Sequence, residues 1–134
     1  MKKLFVILMI AIAVLPACTK YKDGPKISLL TKKARFAGNW SIETVSFNGN
    51  DVTSAYNQSV STSEKLAILK SGNYGYAGDY GTWKFGEDKD DVTFTSGISG
   101  VQPRAYHILR LENKSLWLQY TAPNGDLTEY HWKQ

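Results

Sequence analysis

From Trp40 to Lys133 the chain is cut by turn signals into runs of only four to eight residues. Eight of these runs read as strands: 40–47, 65–70, 74–77, 82–85, 91–95, 104–111, 115–121 and 127–133. They are separated by Asn48-Gly49-Asn50, Ser71-Gly72-Asn73, Gly78-Asp79, Gly86 to Lys89, Glu112-Asn113-Lys114 and Pro123 to Asp126. Connections this short join antiparallel neighbours, so the cadence predicts an all-β fold that meanders and closes: an eight-stranded antiparallel up-and-down barrel. Closure also removes the unpaired edges that an open sheet exposes. Asn124-Gly125 reads as the strongest hairpin turn, with positive φ at both central positions. Two loops are longer. Residues 51–63 are rich in Ser, Thr and Asn, with one helical turn expected after Asp51, and 96–103 contain two glycines and a proline.

Alternation assigns one face of each strand to the interior. Trp83 shares a face with Phe85, Val92 with Phe94, and Leu116 with Leu118 and Tyr120. Tyr106, Ile108 and Arg110 alternate against His107, Leu109 and Leu111, which leaves both faces partly apolar. The first strand changes parity, with Trp40 and Ile42 on one face and Val45 and Phe47 on the other; a bulge near Thr44 would reconcile them. If the barrel holds a small apolar or amphipathic ligand, the expected lining is Trp40, Trp83, Phe85, Phe94, Tyr106, Leu118 and Tyr120. The competing expectation is a core filled by those same side chains.

The segment before the strands has a different character. Met1-Lys2-Lys3 is basic and Leu4 to Leu15 is an apolar run of 12 residues. A bilayer-spanning helix needs about 20, so the run reads as the core of a cleaved signal peptide, residues 1–17. Leu15-Pro16-Ala17-Cys18 resembles the lipobox of bacterial lipoproteins, which implies acylation at Cys18 and tethering to the cell envelope, at the outer membrane. Cys18 is the single cysteine of the chain, so no disulfide can form within it. Residues 18–26 read as a flexible tether and 27–134 as one domain. Ile27 to Ala37 reads as a helix of two or three turns or a 3₁₀ segment, with Ser28 as its cap and Gly38 as its stop.

The wording of the chain is similar to the small lipocalin-like lipoproteins of Bacteroidetes-type bacteria, a mostly uncharacterised group. The segments that carry the resemblance are Gly24 to Leu29, Gly38-Asn39-Trp40, Gly81-Thr82-Trp83-Lys84-Phe85, and Ile108 to Leu118. It implies a calycin-type barrel behind a short N-terminal helix, and it implies the location more than an activity. Gly-x-Trp occurs twice, at Gly38 and at Gly81.

Charge and reactive residues narrow the function. Without Lys2 and Lys3 the formal charge falls from +4 to +2. Lys20 to Arg35 holds six basic residues against Asp23, which suits a solvated tether near anionic head groups. With little aromatic interleaving in an exported chain, it does not read as a nucleic-acid surface. His107 and His131 lie in separate strands with no third metal ligand signalled. Glu87 to Asp91 lacks the glycine and oxygen spacing of an EF-hand. No nucleophile–base order, phosphate loop or carboxylate pair stands out, so the expectation is a protein that is not an enzyme, with no cofactor and no metal. The partners expected are the membrane, reached through Cys18, and a small hydrophobic ligand. The alternative is a solid barrel whose exposed aromatics contact another envelope protein or a glycan.

Overall fold

The computed structural model describes residues 30–134. The signal peptide, Cys18, the tether and the expected cap at Ser28 lie outside the described residues. The described chain forms nine strands and two short helices. The helices are α1 (Lys32–Phe36) and α2 (Thr53–Ser59). The strands are β1 (Gly38–Phe47), β2 (Asn50–Asp51), β3 (Lys65–Ile68), β4 (Asn73–Tyr76), β5 (Asp79–Phe85), β6 (Asp91–Ser96), β7 (Arg104–Leu111), β8 (Ser115–Thr121) and β9 (Leu127–Lys133). Every pairing is antiparallel. β1 pairs with β3 on one side and β9 on the other, so eight strands close into a barrel and β2 is a two-residue extension of β1.

Two bulges set which side chains enter the barrel. Register against β9 shifts between Ile42 and Thr44, so Glu43 is the extra residue of β1. Trp40 and Ile42 before it, and Val45 after it, all pack inward, with Trp40 fully buried. The second shift lies between Ile108 and Arg110, making Leu109 the extra residue of β7. Simple alternation puts Arg110 on the face of Tyr106 and Ile108. The bulge reverses this: Leu111 faces inward opposite Leu116, and Arg110 lies over the Trp117 ring at 4.3 Å.

Turn chemistry explains two further departures. At the β8–β9 connection only Gly125 has positive φ (91°), and its N–H donates to Ala122 O at 2.9 Å. Pro123 fixes its own φ near the value for the second residue of a type I turn, so Pro123-Asn124 makes the turn and Gly125 follows it in the left-handed region. The mirror-image two-residue turns occur instead at Asn48-Gly49 (φ 46° and 82°) and Ala77-Gly78 (φ 48° and 83°). The second of these starts β5 at Asp79, three residues before the expected Thr82.

One end of the barrel is plugged. Thr31 caps α1 by accepting from Ala34 N at 3.1 Å, and the chain turns extended at Ala37. This places Phe36, fully buried, 4.8 Å from the Trp83 ring centroid and 5.2 Å from that of Phe85. Arg35 donates from Nη1 to Leu111 O at 3.1 Å, and Lys32 Nζ sits 4.0 Å over Phe85. The two Gly-x-Trp tryptophans close the same end. Trp40 Nε1 donates to Phe36 O at 3.0 Å and Trp83 Nε1 to Leu69 O at 2.9 Å, so neither buried indole N–H is left without an acceptor.

Candidate functional site

The opposite end is open. There β4, β5, β6 and β7 bring Tyr76, Asp79, Ser96 and Arg104 together around the mouth of a pocket of about 340 Å³. Val101 and Gln102, from the loop before β7, complete the rim. Its walls below are Leu66, Tyr74, Phe94, Tyr106, Leu118, Tyr130 and Trp132. The last wall comes from α2. β1 pairs with β3 only through Gly38–Ser41; beyond that it pairs with β2, and α2 packs against it. Asp51 holds the start of α2 by accepting from Thr53 N at 2.8 Å, and Thr53 N–H and hydroxyl anchor the turn to Asp51 and Val45. Tyr56 thereby reaches the pocket, where its hydroxyl meets that of Tyr76 at 2.7 Å.

Five tyrosines therefore line the pocket, and all five hydroxyls are held protonated. Burial pushes Tyr130 up to about 12, with a smaller contribution from Tyr106. Burial is also the largest cause of the rise at Tyr56, Tyr74, Tyr76 and Tyr106. At Tyr106 the neighbouring Arg104 charge offsets part of that rise. Tyr74 donates to Asp79 Oδ2 at 2.6 Å and Ser96 donates to Asp79 Oδ1 at 2.5 Å. Arg104 lies 5.7 Å over the Tyr120 ring and beside Tyr106. The pocket thus joins an aromatic wall of neutral donors to a polar mouth.

Of the residues expected to line an interior, Phe94, Tyr106 and Leu118 face this pocket. Trp40, Trp83 and Phe85 belong to the packed cluster at the plugged end, against Phe36 or, for Trp40, bonded to its carbonyl. Tyr120 sits at the open end beside Tyr106, 5.7 Å between centroids, under Arg104. Sequence alternation missed Tyr74, Tyr76, Tyr130 and Trp132, although each stands in a strand with period-2 signal, and it had no means of finding Tyr56. The histidines lie elsewhere: His107 Nδ1 is 2.9 Å from Asp91 and His131 Nε2 is 2.6 Å from Glu129, with the His131 ring stacked on Trp117. Among the described residues no group of three or more His, Cys, Asp or Glu gathers. Compared with known proteins, the chain matches no family model and no curated protein.

Proposed function

We propose that this protein is a lipid-anchored envelope protein with a lipocalin-like barrel, and that its pocket binds a small hydrophobic or amphipathic ligand without catalysis. The observation that carries the reading is the pocket itself: about 340 Å³, within the range of small-molecule sites, concave, mostly aromatic, with a few convergent polar groups at one end. A barrel filled by its own side chains would have no such space. The anchor rests on the order of basic, apolar and small residues ending at Cys18. Native mass spectrometry of the full chain purified from its own envelope tests the ligand: a co-purified small amphiphile is expected. A co-purified protein with an empty pocket would favour the alternative, an envelope interaction protein. The observation behind that alternative is the outward layer of Arg110, Trp117 and His131 on β7, β8 and β9. For the anchor, Cys18→Ser is expected to move the protein from the membrane to the soluble fraction, and retention in membranes would reject acylation at this residue.

A further inference from the structure

We propose that the plugged end of the barrel is a docking face for an anionic lipid bilayer, centred on Lys33, Leu69 and Lys70. The proposal rests on the membrane anchor read at Cys18 and adds an orientation to it. Eleven residues separate Cys18 from Leu30, and extended they reach about 40 Å. A tether of that reach does not orient the barrel by itself. The face that meets the lipid is set by the barrel's own side chains.

Those side chains divide by sign along the barrel axis. At the plugged end α1 carries Lys32, Lys33 and Arg35, and the β3–β4 turn carries Lys70. The β7–β8 turn there carries Lys114 beside Glu112, and β9 closes on Lys133. The β5–β6 turn bounds this basic patch with Glu87, Asp88 and Asp90 around Lys89. At the mouth Asp51, Glu64, Asp79 and Asp126 stand against Lys65 and Arg104. The seven residues of β8 hold the two ends about 15 Å apart at barrel tilt, whereas charges act over about 8 Å at physiological salt. A lipid surface at one end therefore feels the charge of that end.

Trp83 gathers the centre of the patch. Lys33 Nζ lies 5.9 Å over its ring, and its indole N–H donates to Leu69 O at 2.9 Å, immediately before Lys70. Both lysines are exposed. Neither belongs to an ion pair among the described residues, which engage Arg110, Lys133 and the two histidines. Leu69 is 54% exposed between them. Two ammonium groups beside an exposed leucine suit a head-group surface: the cations meet phosphates while the apolar chain enters the interface. The mouth exposes more apolar side chains, among them Tyr80, Ile98 and Val101. Its acidic rim is repelled by anionic head groups, so charge selects the plugged end.

Fluorescence quenching from the bilayer tests this. The protein extracted from its own membrane is reconstituted into vesicles of phosphatidylcholine, with or without phosphatidylglycerol, that carry a nitroxide on some head groups. One thiol fluorophore is placed by Ser71→Cys beside Lys70, or by Ser99→Cys at the mouth, both exposed positions. On vesicles containing phosphatidylglycerol, quenching at 71 is expected to exceed that at 99 by about two-fold or more. Lys33→Gln with Lys70→Gln is expected to remove the difference, as is high salt, with the near-ultraviolet circular dichroism unchanged. Equal quenching at the two positions, stronger quenching at 99, or the same preference for 71 without phosphatidylglycerol would overturn the docking proposal and leave the anchor standing. Failure of the protein to stay with vesicles of either composition would overturn the anchor as well.

Discussion

Gly81, in the second Gly-x-Trp, has no room for a side chain. A Cβ there would overlap the Thr95 carbonyl oxygen on β6 and lie 2.9 Å from the Tyr74 ring on β4. Gly81→Ala should cost about 3 kcal/mol, read as a lower urea midpoint with an unchanged slope. Ala77 makes the opposite case, since its φ of 48° is uncommon for a residue with a Cβ. Ala77→Asn keeps the turn with a residue that tolerates this region, and should raise stability by about 0.5–1 kcal/mol in the same assay. The buried phenols set the alkaline limit. A tyrosine whose folded pKa is raised binds its proton longer in the folded state than in the unfolded chain, which releases it near pH 10. Its contribution is complete below that value and is lost as pH rises toward the folded pKa. For Tyr130 the window runs from about pH 10 to about 12, and the higher shifts of Tyr56 and Tyr74 extend it upward. Urea midpoints should stay level to about pH 9 and then fall, with the phenolate absorbance of the pocket tyrosines appearing only on unfolding.

At the scale of elements, strand positions were legible because turn residues punctuate them, while the depth of each inward residue was not. Alternation says that Trp83, Phe85 and Phe94 point inward. It does not say that β5 ends at the plug or that Phe94, the cross-strand partner of Trp83, also borders the pocket, because depth follows from pairing register. Bulges escape for a related reason: a bulge inserts one residue without any required side-chain type. β1 revealed its own through a parity change in its apolar residues. β7 hid the second, since Leu109 and Leu111 made both faces look apolar. Paired substitutions check that register. Leu111→Ala should cost about 3 kcal/mol, whereas Arg110→Ala, which loses a half-exposed stack and its pair with Glu112 at 3.4 Å, should cost under about 1 kcal/mol. Helix α1 contributes more than its five residues suggest. Phe36→Ala empties the centre of the Trp83–Phe85 cluster and should cost about 4 kcal/mol by chemical denaturation.

In the whole molecule the two ends of the barrel do different work. The chain enters at the plugged end, beside Lys32, Lys33 and Arg35, and the pocket opens at the other. A tether through the residues before α1 would join the barrel at its plugged end. The closing pair has a further consequence. β1 meets β9 at Ile42↔Trp132 and Phe47↔Thr128, so the seam joins the first strand to the last. A chain emerging from a ribosome or a translocation channel in N-to-C order can form its hairpins one by one. It cannot seal until Leu127 to Lys133 arrive, and contacts of such sequence separation form slowly. The barrel therefore cannot close before β9 is available to pair with β1.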